Sequence, residues 1–480
     1  MQRDVAPDAV GEAPVGLALA VEQARELVGY EQPSADLVSA ISVVYTEEDK
    51  DASLIPASSK GLDILVVGHV PFYRYWQDDE QRYVFHPMAY GRFLGRLSCN
   101  EDPELYLAAA VSVAHSLPNG GLLWYYPDNY RLNRMLGPDL HPSCIGQGQI
   151  LGAITQLDAR CNGDFSELAR GAYLGLSFDY HSGGVNLENK ALLEIPLFRS
   201  CPEIILNGWL HALLHLHNYV EHYQDREAKE LLAANVAYLV EHLERFHDDN
   251  TGLSRYSDLT PYRVRVQYET ESSPNLIAFY RSRDRELEDY RISLEGIDHE
   301  SRSPFDNQII TQGQGFTDIW ISCSQAFDTY VVSTTGPFTV TFDAGVYSPY
   351  TATPRAGGKG IELHSYCDDG YHVVHITDVR EELFCGYPTN FSKVGANYYH
   401  PYHVVALACL LAGPEMPDEV AMKLRSWMER WLEAVENPPP EEGLEFVPFS
   451  DVLGDLVKHE LFTITDDWET LLAMARASAR

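Results

Sequence analysis

The strongest constraint in this chain is a succession of helix-length stretches whose apolar residues recur at three- and four-residue spacing. They cover Glu104 to Ser116, Cys144 to Cys161, Phe165 to Phe178, Glu203 to Tyr223 and Arg226 to Phe246. That period marks one buried face of an α-helix. Clusters such as Pro118-Asn119-Gly120-Gly121 and Asp248-Asp249-Asn250-Thr251-Gly252 separate the stretches. Glycine and proline interrupt helices there, through backbone freedom and a missing donor. Successive helices joined by short turns fold back on one another, which predicts a bundle or an α/α toroid.

The pattern changes after about Ile292. Phe316 to Cys323, Thr329 to Thr334, Phe338 to Phe342 and His372 to Ile376 are rich in β-branched and aromatic residues, with turn breaks between them. That text predicts a β-sandwich-like segment. Helical spacing returns at His403 to Leu411 and Asp418 to Val435, and Pro438-Pro439-Pro440 opens a linker. Near the start, Leu62 to Val67 suggests a strand and Tyr73 to Phe85 a hairpin edge. The expected fold is therefore mainly α, an α/α-barrel (toroid-like) helical domain with an inserted β-sandwich-like segment. Residues 1–84 form an arm and hairpin, 85–280 the helical domain, 281–395 the β insert, 396–436 the final helices and 437–480 a linker with an acidic tail.

Charge narrows the partners. The 480 residues carry 70 acidic against 35 basic side chains, a formal charge of −35, which repels nucleic-acid phosphates and anionic membranes. No nucleic-acid or membrane partner is expected. The amino end places acidic residues where a signal peptide carries basic ones. The eight cysteines show no Cys-x-x-Cys spacing, so the expectation is a cytoplasmic chain with free thiols.

Five short motifs occur in order. They are Phe85-His86-Pro87-Met88-Ala89-Tyr90-Gly91, Trp124 to Leu136 followed by Gln147-Gly148-Gln149, Ile205-Leu206-Asn207-Gly208-Trp209, Thr251-Gly252 with Tyr256-Ser257-Asp258-Leu259, and Tyr399-His400-Pro401-Tyr402-His403. Together they resemble the catalytic domain of the glucuronyl C5-epimerases, over about 85 to 260 and 396 to 436. The resemblance implies an α/α-barrel catalytic domain that epimerises a uronate. The nearest text to that family's Glu-Tyr pair is Glu194-Ile195-Pro196, without the tyrosine. Tyr256 and Tyr399, close together in the family's sequences, are here separated by the β segment.

Epimerisation at C5 removes a proton α to a carboxylate and returns one to the other face. It needs a base, an acid and a cation at the carboxylate. Tyr256 and Tyr399 are the candidate proton carriers, with Glu194 as supporting carboxylate or base and His400 or His403 as alternatives. Arg131, Arg134, Arg199 or Arg255 offers the fork that clamps a carboxylate. Gln147 and Asn207 are candidate substrate contacts, with helix capping or loop holding the leading reading of both. His211 and His215, four apart on one helix, have metal-ligand spacing but lack the glutamate of a zinc protease helix. No metal and no cofactor are expected. The partner is a carbohydrate or other small-molecule substrate. A lyase shares the first proton transfer, and a non-catalytic member of the fold would bind carbohydrate or protein. The β segment leaves three roles open: capping the cleft, binding sugar or forming a homodimer contact.

Overall fold

The computed structural model describes residues 33–46, 49, 52–55, 63–74, 82–161 apart from 128–139, 163–194, 204–258 apart from 248–251 and 256, 260–268, 275–282, 307–311, 315–323, 328–333, 336–342, 361–368, 371–375 and 400–436. Its described part is mainly helical. The helices are α1 (Ala35–Ile41), α2 (Pro87–Gly95), α3 (Pro103–Ser112), α4 (Cys144–Cys161), α5 (Ser166–Leu176), α6 (Leu206–Tyr223), α7 (Arg226–His242), α8 (His400–Ala412) and α9 (Asp418–Glu436). A 3-10 turn, Leu243–Phe246, closes α7.

Side-chain burial sorts these helices into two kinds. Helix α4 is buried from Cys144 through Thr155 without a break, and α6 from Leu206 through Leu213. Helices buried on all sides form the interior, here with polar residues such as Gln147, Gln149 and His211 enclosed among the apolar ones. Helix α7 instead buries Leu231, Leu232, Asn235, Val236, Leu239 and Val240, and α9 buries Leu424, Met428, Trp431 and Leu432. That is one stripe, with the other faces left to solvent. The interior helices pack in the row α2–α4–α6–α8, while α5, α7 and α9 each pack on the interior helix before it.

Register shows that the interior row is parallel. Along α2, Pro87, Gly91 and Gly95 face Gly146, Gln149 and Ala153 of α4 in turn. Gly148 and Gly152 of α4 then face Ala212 and His215 of α6. His211 and His217 of α6 meet Tyr402 of α8 and Gly413 just after its end. Small residues make this closeness possible: a β-carbon on Gly148 would lie 2.9 Å from the Ala212 Cα. Four helix amino ends therefore lie at one end of the row.

The amino end of α2 explains its Phe-His-Pro text. His86 is the N-cap, its Nδ1 accepting the Ala89 N–H at 3.2 Å, and Pro87 occupies the first turn, where no N–H is needed. A four-stranded antiparallel sheet precedes α2, in the order β1 (Ala52–Ile55), β2 (Ile64–Val67), β3 (Val70–Arg74), β4 (Tyr83–Val84). The Tyr73 hydroxyl donates to the Ala89 carbonyl and ties that sheet to α2. Three two-residue pairs, β5 to β10, dress the turns: His115–Ser116 with Leu122–Leu123, Tyr125–Tyr126 with His141–Pro142, and Asn186–Leu187 with Ala191–Leu192.

The remaining strands are β11 (Thr260–Tyr268), β12 (Asn275–Ser282), β13 (Asn307–Thr311), β14 (Gly315–Cys323), β15 (Asp328–Ser333), β16 (Phe338–Phe342), β17 (Ile361–His364), β18 (Tyr366–Asp368) and β19 (Tyr371–His375). They form two antiparallel sheets, β14-β11-β16-β17 and β13-β12-β15-β19-β18. The strands thus begin at Thr260, well before the change of text near Ile292 and inside the stretch 85–280 assigned to helices. Thr260 to Tyr268 alternates Tyr and Val with Arg and Gln, a strand repeat set among polar residues, so composition alone did not flag it.

The thiol expectation also needs correction. Cys99 and Cys161 form a disulfide, Cα to Cα 5.3 Å, joining the turn after α2 to the last residue of α4. Parallel neighbouring helices bring their carboxyl ends together, which spacing in sequence could not reveal. No helix among the described residues is long and apolar enough to cross a membrane. The arm residues 1–32 and the tail 437–480 lie outside the described residues.

Candidate active site

Buried polar side chains concentrate where the four amino ends meet. Glu194 is 6% exposed and Arg92 7% exposed. Glu194 lies between two helix starts. The Cys144 N–H at the head of α4 donates to the Leu193 carbonyl at 2.9 Å, and the Glu194 side chain rests on Gly208 in the first turn of α6. A β-carbon on Gly208 would come within 2.2 Å of Glu194 Oε2, so only glycine admits the carboxylate there. Helix amino ends each carry about half a positive charge, which suits an anion in this place.

Beside it runs a chain of hydrogen bonds. His211 Nε2 lies 2.9 Å from Gln149 Oε1 and 3.2 Å from His215 Nε2, and His211 Nδ1 lies 3.2 Å from the Tyr402 hydroxyl. Burial, then His215 and Arg92, hold His211 well below its ordinary value, so it is neutral. Burial and Arg92 take His215 down to about 4. Tyr402 is pushed up, chiefly by burial and further by Cys409 and Glu194. Burial and then Glu194 raise the Cys144 thiol. These mutual influences place Arg92, Glu194, His211 and Tyr402 in one electrostatic neighbourhood. An aromatic layer borders Arg92: its guanidinium contacts Met88, which packs with Tyr126 and Ile145, and Tyr126 stacks on His141 at 5.5 Å.

A second cluster holds the chain on the other side of Tyr402. Ser254 donates its N–H to His400 Nδ1 at 2.8 Å, and its hydroxyl lies 2.7 Å from His403 Nδ1. His400 Nε2 donates to the Trp431 carbonyl at 2.9 Å, and Trp431 donates to His247 at 3.1 Å. Burial takes His400 to about 3. Asp258 accepts the Ile204 N–H at 2.9 Å and pins the same segment to the start of α6.

The sequence candidates divide accordingly. Glu194 sits against the first turn of α6, and Asn207 is buried in that same turn. His400 spends both nitrogens on Ser254 and Trp431, so its place is in holding α8 and α9 together. His403 is fixed through Nδ1, while its buried Nε2 has no partner. Gln147 serves as a latch: its Nε2 donates to the Leu122 and Ala172 carbonyls, and its Oε1 accepts the Trp124 N–H. Arg255 is buried in the Ser254 segment, and its N–H donates to the Phe246 carbonyl. Tyr256, Tyr399, Arg131, Arg134 and Arg199 lie outside the described residues. No group of three His, Cys, Asp or Glu able to hold a metal occurs among the described residues.

Compared with family models, with curated proteins and with solved structures, the chain matches none. The site therefore rests on its own geometry. Sequence reasoning missed Arg92, Gln149 and Tyr402 as members of this buried polar neighbourhood. Arg92 did carry a signal, as the one charged residue within the apolar helix Pro87–Gly95. A cavity of about 440 Å³, lined by Leu37, Ala40, Ser112 and His115 among others, lies elsewhere, and none of these candidates lines it.

Proposed function

We propose that this protein is an epimerase or isomerase acting on a uronate or similar sugar, by proton abstraction and return at a carbon α to a carboxylate. One observation carries the reading: a buried carboxylate, a buried guanidinium and a tyrosine–histidine pair share one neighbourhood at the amino ends of four parallel helices. In this reading Glu194 takes the C5 proton, and Tyr402 returns one to the opposite face. Arg92 and the helix ends hold the charge that builds on the substrate carboxylate. The Tyr402–His211 pair replaces the acid missing from the Glu194-Ile195-Pro196 text. The positive helix ends and Arg92 also answer the problem posed by a net charge of −35, since they favour an anion locally.

The finer fold belongs to the same proposal. The parallel interior row with its outer partners is read as an α/α toroid, and the two antiparallel sheets as an inserted β-sandwich. The partner is a uronate-containing small carbohydrate, with no cofactor. The test is incubation with uronate oligosaccharides in heavy water. Deuterium at C5 without unsaturated product is the expected result. Unsaturated product moves the chain to the lyases, and binding without either signal leaves a carbohydrate-binding protein.

A further inference from the structure

Two buried side-chain oxygens at the starts of α4 and α6, next to the residues that hold the Leu193–Glu194 segment, have no hydrogen-bond partner. Ser143 stands immediately before α4, and its carbonyl accepts the Gln147 N–H at 2.9 Å, so it occupies the capping position. Serine at that position ordinarily turns its hydroxyl back onto a free N–H of the first turn. Here the hydroxyl is 0% exposed and caps nothing. Asn207, the second residue of α6, is 4% exposed, and its Oδ1 accepts no hydrogen bond.

Their setting is shared. The residue after Ser143 donates its N–H to the residue before Glu194, and the residue after Asn207 carries the Glu194 side chain. An unsatisfied buried polar atom lowers stability, and folded chains satisfy nearly all of them. Two such atoms, each on a residue next to one that holds the Leu193–Glu194 segment, mark contacts that a ligand completes. A hydroxyl and an amide oxygen are neutral. Next to a carboxylate they suit O–H donors and disfavour a second carboxylate.

We infer that Ser143 and Asn207 form the subsite for the ring hydroxyls of a pyranoside. This rests on the reading of the centre as a uronate site, in which the substrate carboxylate goes to Arg92. The two oxygens are sealed from solvent, so binding at them requires the packing over them to open.

The test compares the full chain with Ser143→Ala and Asn207→Ala by thermal denaturation and calorimetry. The probes are methyl β-D-glucuronide and methyl β-D-xyloside, which keeps the ring hydroxyls without the carboxylate. The wild type is expected to gain Tm with both probes, more with the glucuronide. Ser143→Ala, relieved of an unsatisfied hydroxyl, should melt at or above the wild type without ligand. Both variants should bind both probes at least tenfold more weakly. Asn207→Ala leaves a gap and is read for binding only; Ser143→Ala carries the test if it does not fold. The inference is overturned if Ser143→Ala melts lower without ligand, if xyloside binding is unchanged in the variants, or if neither probe raises the wild-type Tm. Binding that behaves as expected without C5 exchange would retain the subsite and remove the epimerase reading. Exchange that persists undiminished in Ser143→Ala would do the reverse.

Discussion

The Tyr402 hydroxyl and His211 Nδ1 meet at 3.2 Å across the seam between α6 and α8, and the proton between them belongs to the tyrosine. An amide oxygen can only accept, so Gln149 Oε1 fixes the His211 proton on Nε2. Nδ1 is then an acceptor, and Tyr402 is its donor.

Tyr402→Phe therefore leaves a buried nitrogen without a donor. The expected cost is about 1–3 kcal/mol of unfolding free energy, measured by urea denaturation near neutral pH. An unchanged midpoint and slope would show that the two groups do not depend on each other.

Stability should fall in mild acid. Burial and Arg92 take His86 from 6.5 to about 3, the same causes take His215 to about 4, and burial takes His400 to about 3. These folded values lie below the unfolded one. The unfolded chain thus binds more protons between them, and stability is complete only above about pH 6.5. Each histidine costs about 1.4 kcal/mol per unit as the pH drops toward its folded value. Urea titrations at pH 7.5 and pH 5 should differ by several kcal/mol. Equal values would mean that these rings are not buried and neutral.

What the sequence made legible was the helical frame. Cys144–Cys161 and Asp418–Glu436 could be bounded because their apolar spacing is long and regular. Which helices lie inside was not, because α4 and α6 carry polar residues such as Gln147, Gln149, Asn207, His211 and His215 that are nevertheless buried. The site was less legible, because its members come from four helices and a loop. Only register puts Arg92, Glu194, His211 and Tyr402 together. The Tyr-Val alternation of Thr260–Tyr268 lies among arginines and glutamine, and so it hid the first strand of the sheets. Gln147, His400 and His403 stand in site-like motifs, yet much of their hydrogen bonding holds loops and helices in place. A motif does not separate those roles.

The Cys99–Cys161 bridge closes a sequence separation of 62 residues, which the chain-entropy model values at about 4 kcal/mol. Reduction, or Cys161→Ser, should lower the Tm by several degrees. Full alkylation of both thiols without reductant would show that the bridge is absent.

Gly208→Ala tests the seat of the carboxylate. Its methyl group would fall 2.2 Å from Glu194 Oε2, so Glu194 must leave α6. In the proposed reaction the turnover rate should drop by at least tenfold, read as C5 deuterium exchange. Full activity in Gly208→Ala would mean that Glu194 does not work from this position.

The central claim is that Glu194 and Tyr402 move the proton, and the direct measurement is C5 deuterium incorporation into a glucuronate oligosaccharide by wild type, Glu194→Gln and Tyr402→Phe. Exchange by the wild type, with a loss of at least a hundredfold in each variant while both remain folded and bind the sugar, is the predicted result. Exchange that survives in both variants would place the chemistry elsewhere, and no exchange by the wild type on any uronate would end the epimerase reading.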